Sequence, residues 1–346
     1  MAENIQYHKG SVCVTGATGF VASWLIMRLL QQGYSVRATV RPESGKKDLS
    51  FLTSLIPTAS SSENSKLQIF QADLRQPESF ATAIEGCVGV FHVAHPVVSS
   101  EPVTEEAVTK MTVKGTLGIL KACLDSKTVK RVVYTSSAAT VVYGGDGRDD
   151  RDKVEESTWS DIDFYKSQNR EASTELYMAT KVKTEKAALE FAEKHGLDVV
   201  TLIPSLVVGP FICPHLPASV GLALTMIFGN NKALYKYITK TAMVHIDDVA
   251  RAHIFLLENP NAEGRYICSS DEISLDEMAL LLSKRWPNIE IPTEEYVSSL
   301  KEIEGCDQKY SSLSSEKLLK SGFEYKYGLD DMFDGAIQSC KEKCFL

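Results

Sequence analysis

Hydrophobic positions along the chain switch between two rhythms. Short apolar runs rich in β-branched residues alternate with longer stretches whose apolar residues recur every three or four positions. "VCVTG" (12–16) reads as a short buried strand. Helical spacing follows over 19–32 (Phe20, Trp24, Met27, Leu30) and stops at Gly33. "YSVRATV" (34–40) is a second strand, with helix signals near 46–55. "LQIF" (67–70), "VGVFHV" (88–93), "RVVYTS" (131–136) and "DVVTLI" (198–203) continue the series. Helical stretches near 77–85, 105–125 and 174–195 lie between them. Strands separated by helices in this way predict βαβ units, right-handed crossovers and a parallel sheet covered on both faces. The expected class is α/β, with a doubly wound parallel sheet.

Beyond residue 205 the rhythm breaks. "PSLVVGPFICPHLPAS" (204–219) carries four prolines in 16 residues and reads as a long loop. Later helices are expected near 247–258, 274–285, 314–320 and 330–342, with one clear strand, "GRYICS" (264–269), among them. The pattern divides the chain into a main domain over 1–204 and a smaller C-terminal lobe over 205–346, with 242–270 returning to the main sheet. The low-complexity patch "TASSSENS" (58–65) reads as a flexible surface loop.

Composition narrows the partners. The 346 residues are 44% apolar and 24% charged, ordinary for a globular protein, and the net charge of −8 disfavours nucleic acid or an anionic membrane. The longest nearly apolar run, "VVTLIPSLVVGPFI", is 14 residues long and broken by two prolines, too short to span a bilayer. "MAENIQYHKGS" lacks the apolar core of a secretory signal. Eight cysteines are dispersed without a Cys-x-x-Cys pair, as expected of buried thiols in a reducing cytoplasm, and no metal set is expected. A small-molecule substrate is the expected partner, and the chain is read as a monomer or homodimer.

Two motifs carry chemistry. "TGATGFVAS" joins the first strand to the first helix, where a glycine turn and a helix N-terminus point N–H groups at a pyrophosphate. Gly16 permits the tight turn, Gly19 close approach of phosphate, and Ala22 fills the third small position, which makes the sheet a Rossmann-type dinucleotide binder. The second strand ends "ATVRPESGKK". Arg41 and Lys47 suit a 2′-phosphate and favour NADP(H), while Glu43 is the competing signal that keeps NAD(H) open. The fifth strand ends in Ser136 and Ser137, and "TELYMATKVKTEK" sets Tyr177 and Lys181 on one helix face. Chemistry gathers beyond the carboxyl ends of such strands. Tyr177 is therefore expected to pass a proton to or from a carbonyl oxygen, Ser137 to hydrogen-bond that oxygen, and Lys181 to lower the phenol pKa and hold the ribose.

At this point the sequence resembles a known family. "VCVTGATGFVASWLIMRLL", "YSVRATVR", "YTSSAATV", the Tyr177/Lys181 pair, "IPSLVVGPFICPHLP", "MVHIDDVARAHIFLLE" and "DDMFDGAIQSCKEK" are similar to the plant extended short-chain dehydrogenase/reductases, dihydroflavonol-reductase-like branch. The resemblance implies a Rossmann domain, a small C-terminal substrate lobe and a nicotinamide cofactor. It assigns Gly16, Thr18, Gly19, Phe20 and Val21 to the phosphate loop and Arg41 and Lys47 to the 2′-phosphate. Asp73 and Leu74 fall to the adenine, Val93, Ala94 and His95 to the strand-four wall, and Pro204, Val207 and Ser219 to the cofactor. Ser137, Tyr177 and Lys181 form its catalytic set. Val142 replaces the asparagine with which dihydroflavonol reductases hold a catechol ring, and "TELYMATK" replaces the cinnamoyl-CoA reductase pattern, so neither substrate is favoured.

The apolar side chains Val141, Val142, Tyr143, Phe211, Ile212 and Leu216 are expected to line a pocket for a flat, weakly polar ring system. The combined expectation is an NADP(H)-dependent carbonyl reductase of a polycyclic plant specialised metabolite, isoflavonoid- or alkaloid-like. One alternative reverses the chemistry, as NAD(P)+-dependent oxidation of an alcohol or hemiacetal in an alkaloid pathway. A non-catalytic dinucleotide-binding protein is a third reading.

Overall fold

The computed structural model describes residues 9–42, 48–55, 66–96, 104–143, 153–167, 172–229, 235, 238, 240–289, 291 and 312–346. The first half runs β1 (Ser11–Val14), α1 (Phe20–Gln31), β2 (Ser35–Val40), α2 (Ser50–Thr53), β3 (Leu67–Gln71), α3 (Ala81–Ile84), β4 (Gly89–His92), α4 (Glu105–Ser126) and β5 (Arg131–Thr135). Then come β6 (Lys153–Val154), α5 (Ile162–Ser167), α6 (Ala172–His195), β7 (Val199–Pro204) and β8 (Leu206–Val208). The remainder is α7 (Ala218–Ala223), α8 (Thr225–Phe228), β9 (Lys240–His245), α9 (Ile246–Glu258), β10 (Gly264–Cys268), β11 (Asp271–Ser274), α10 (Leu275–Arg285), β12 (Ser312–Leu313), α11 (Glu316–Lys320) and α12 (Leu329–Glu342).

Seven strands form one sheet in the order β10-β7-β5-β4-β1-β2-β3, and every pairing in it is parallel. The order reverses between β1 and β4, which opens a crevice beyond their carboxyl ends. Residues of β4, β5 and β7 are buried throughout, as expected of strands sandwiched between helix layers. α1 and α9 pack together, tied by Trp24 Nε1 donating to Asp247 Oδ1 at 2.8 Å. α4 and α6 pack together as a second pair, with Thr109 and Thr180 hydroxyls 3.2 Å apart.

The proline-rich stretch is more ordered than its composition predicts. Ser205 N–H donates to the Cys268 carbonyl at 3.0 Å, β8 pairs in parallel with β9, and α7 begins directly after Pro217. Tertiary pairing thus recovers a strand that the prolines on either side conceal. β8, β9 and β11 make a three-stranded sheet, around which a second core gathers Phe211, Val220, Met226, Met278, Phe333 and Ile337. Of the segment expected back in the main sheet, β10 pairs with β7 and α9 packs on α1, whereas β9 belongs to the smaller sheet. The helix expected near 46–55 is seen only as α2, and that near 77–85 is a 3₁₀ turn (Pro77–Phe80) leading into α3. The patch 58–65 lies outside the described residues.

Candidate active site

The turn after β1 is stitched to β4 by one hydroxyl. Thr15 Oγ1 accepts from the N–H groups of Val93 (3.1 Å) and Ala94 (3.0 Å) and lies 3.0 Å from His92 Nδ1. Its single proton therefore goes to Nδ1, which leaves Nε2–H to donate to Thr116 Oγ1 at 2.9 Å. Burial holds this imidazole neutral, with its pKa pulled down to about 3. Gly16 has φ +74°, and a Cβ there would lie 2.9 Å from the Ala94 Cα. Gly19 caps α1, whose first turn carries no acidic residue and receives no side-chain cap. The N–H groups of that turn are left for an anion.

Arg41 is the first residue beyond β2 and is exposed. Across from it, Asp73 is held by Arg75, whose Nη2 lies 2.7 Å from Oδ2. The Arg75 hydrogen bonds keep the Asp73 carboxyl below the usual carboxylate range, against some burial, and the Arg41 charge adds to them. Two guanidinium groups to one carboxylate leave net positive charge beyond the carboxyl end of β2. Lys47 and Glu43 lie outside the described residues.

The glycine turn, Arg41 and the end of β5 border one cavity of about 1470 Å³, room for a dinucleotide together with a substrate. Ser137, Tyr177 and Lys181 all line it. Ser137 follows β5 and opens a 3₁₀ turn in which its Oγ accepts from Ala139 N–H at 3.2 Å. Lys181 Nζ donates to the Thr135 carbonyl at 3.1 Å and lies 5.7 and 5.9 Å from the ring centroids of Tyr134 and Tyr177. Tyr177 is 41% exposed towards the cavity, with the His95 ring edge-on at 5.4 Å.

The electrostatics differ from expectation. Lys181 was expected to lower the Tyr177 pKa, yet burial raises the phenol, with a Ser137 hydrogen bond acting against it. A good part of the ring still meets the open cavity. Burial pulls Lys181 itself down to about 8, with the Glu185 charge opposing. Desolvation is the first cause of both shifts, and it disfavours the charged form of each group. His95 is held neutral by burial first and by Lys181 second.

The remaining expected residues fall into two groups. Thr18, Phe20, Val21, Leu74, Val93, Ala94, Pro204, Val207 and Ser219 line the cavity, as do Val142, Tyr143 and Leu216. Val141, Phe211 and Ile212 do not, which corrects the expected pocket. Val141 is fully buried with Val154, Ile203 and Ile267. Phe211 packs edge-on to Phe20 (6.4 Å) and against Phe345 (6.1 Å), and the Ile212 carbonyl accepts from Lys343 Nζ at 3.3 Å. In irregular segments neighbouring side chains point opposite ways, so closeness to the site in sequence does not settle direction. Sequence reasoning also missed Met111 on α4, Phe228 on α8, and Lys240 and Thr241 on β9, which all line the cavity. Lys240 brings a cation to this wall and is paired with Glu272 at 3.1 Å. The "MVHIDD" signature of β9 was the one available signal for that wall.

A profile of the NAD dependent epimerase/dehydratase family matches residues 12–268. The chain belongs to that family. It is 55% identical to Protein BRI1-5 ENHANCED 1 of Arabidopsis thaliana over 339 residues, 97% of this chain and 90% of that protein. Vestitone reductase of Medicago sativa is 50% identical over 98% of this chain and 99% of its own length. Its crystal structure superposes with a TM-score of 0.82, covering 98% of this chain and 100% of that one at 49% identity. Noscapine synthase SDR1 of Papaver somniferum is 48% identical over 97% of this chain and 93% of its own. Within the family the chain is an oxidoreductase of the dihydroflavonol-reductase-like plant branch. Its cradle fits a nicotinamide dinucleotide: the uncapped first turn of α1, free of acidic side chains, opens beside Gly16 and Gly19 onto the cavity. Among the described residues no helix is long and apolar enough to cross a membrane.

Proposed function

We propose that this protein is an NADP(H)-dependent carbonyl reductase of a polycyclic plant specialised metabolite, isoflavonoid- or alkaloid-like. The observation that carries this reading is the meeting of Ser137, Tyr177 and Lys181 on one cavity wall that also takes in the Gly16–Gly19 turn and Arg41. The turn and the α1 N-terminus hold the pyrophosphate, Arg41 and Lys47 the 2′-phosphate, and Asp73 and Leu74 border the adenine. NADP(H), when bound, supplies or accepts the hydride. Tyr177 gives its proton to the carbonyl oxygen, Ser137 donates a hydrogen bond to that oxygen, and Lys181 steadies the phenolate left behind and holds the ribose. Val142, Tyr143 and Leu216 present apolar surface to the ring system. In this reading residues 1–204, with α9 and β10, carry the cofactor in a cytosolic enzyme, and most of 205–346 closes over the substrate.

A phenol raised by burial keeps its proton, as the donor role of Tyr177 in reduction requires. The second reading, oxidation of an alcohol or hemiacetal, draws on the similarity to noscapine synthase. The test is to screen the purified protein with NADPH and with NADP+ against isoflavanones, flavanones, alkaloid hemiacetals and aldehydes. NADPH consumption with a polycyclic ketone supports the reductase. Turnover confined to NADP+ and a hemiacetal supports the second reading, and none with either cofactor overturns both.

A further inference from the structure

Behind the cavity wall lies a buried ion pair that the proposed chemistry does not use. Glu185, one helical turn beyond Lys181 on α6, is fully buried. Its Oε1 accepts from Arg265 Nε at 2.8 Å and from Thr201 Oγ1 at 2.9 Å, and its Oε2 from Ser136 Oγ at 2.5 Å. Arg265, on β10, also donates to Thr140 Oγ1 at 3.1 Å and to the carbonyls of Glu156 (2.5 Å) and Thr158 (2.7 Å), and lies 3.7 Å from the Trp159 ring centroid. Thr140 Oγ1 in turn donates to the Ser137 carbonyl at 2.9 Å. The Ser137 turn is thus gripped twice, through the Ser136 hydroxyl by the carboxylate and through Thr140 by the guanidinium. A buried ion pair is weak evidence for stability, since apolar replacements of equal volume often serve as well. Its placement against the turn and one helical turn from Lys181 is the informative feature.

We propose that Glu185 is a positioning residue of this site: clamped by Arg265, it fixes the Ser136–Ser137 turn and holds a negative charge beside the Lys181 ammonium. The inference rests on the reductase reading for its consequence in turnover, though not for the charge itself. The groups that face Lys181 are Tyr177 and Glu185 on α6, the Tyr134 ring and Thr135 carbonyl of β5, and His92 and His95 at the end of β4. Both histidines are held neutral by burial. Glu185 is therefore the charge opposing the desolvation that pulls the lysine down. Arg265 stands beyond the carboxylate and confines it.

The test uses full-length protein labelled with ¹³C at lysine Cε, the Lys181 signal being identified by its loss in Lys181→Met. Glu185→Gln should lower the Lys181 titration midpoint by about one pH unit or more. Glu185→Gln combined with Arg265→Met should lower it by less, since the opposing charge leaves too. Thr201→Val removes a hydrogen bond from the same carboxylate but no charge, and should leave the midpoint in place. With NADPH and the flavanone naringenin, the high-pH limb of kcat should move down with that midpoint while KM stays near wild type. An unchanged midpoint in Glu185→Gln overturns the inference. Should that variant not fold, the double variant is compared with Arg265→Met alone, and equal Lys181 midpoints in those two have the same force. If no carbonyl compound is turned over, the reductase reading falls while the lysine titration still decides the role of Glu185.

Discussion

Tyr177 and Lys181 stand one turn apart on α6, yet burial acts on them in opposite senses, raising the phenol and drawing the ammonium down to about 8. Turnover in the reducing direction should therefore fall as pH rises through about 8, where the lysine loses the charge that steadies the phenolate. Tyr177→Phe should leave NADPH affinity near wild type and reduce turnover by about 10²–10⁴-fold, the range for losing a positioned proton donor. Single-turnover measurements check this, and wild-type rates would remove Tyr177 from the role. Arg41→Ala should weaken NADPH by about 2 kcal/mol, the worth of a charge-assisted contact, while NADH barely moves. Calorimetry with both cofactors decides, and equal losses would take Arg41 out of the cofactor preference. At this scale the motif residues were legible in sequence, because the glycine turn, Arg41 and Ser137 follow strand ends and Tyr177 and Lys181 share one face of α6. Val141 and Val142 were not separable, because only the 3₁₀ turn after Ser137 sends one into the core and the other to the cavity.

The β1–α1 unit shows how an element turns two glycines to different uses. Gly16 lies at φ +74° against the Ala94 backbone, whereas Gly19 has φ −80° and a Cβ there would meet only the Gly16 carbonyl oxygen, closely, at 3.3 Å. Gly16→Ala should lower both NADPH affinity and stability, the latter by about 1–3 kcal/mol for a strained left-handed residue. Gly19→Ala should keep stability within about 0.5 kcal/mol and still lose cofactor affinity, since its new methyl stands where phosphate approaches. Denaturant midpoints set beside calorimetric binding separate the two effects, and parallel losses in both variants would contradict this division. Long elements such as α4, α6 and α9 were readable from periodicity. β8, three residues between prolines, was not, because its partner β9 lies some 35 residues away in the chain.

For the molecule as a whole, the buried histidines predict a fold that loses stability in acid. His92, His245 and His253 are buried with pKa values drawn down to about 3, 4 and 4 from an ordinary 6.5, desolvation being the first cause in each. Their folded values lie below the unfolded one, so the unfolded chain binds more protons and stability falls as pH drops through 6.5. Each contributes a slope of about 1.4 kcal/mol per pH unit down to its folded pKa. Urea unfolding at pH 7, 6 and 5 should show midpoints falling steeply over that window, and a flat profile would mean the three imidazoles are not buried neutral. The strand and helix alternation of the main sheet, the glycine turn after β1 and the residues proposed for proton transfer were legible in sequence alone, because periodicity, turn chemistry and i,i+4 spacing act over a few neighbouring residues. The wall built by β9, α7 and α8, the buried Glu185–Arg265 pair joining α6 to β10, and the sign of the Tyr177 shift were decided only in the tertiary structure. Pairing across distant segments and the desolvation it imposes are properties of the packed chain, which no local pattern encodes.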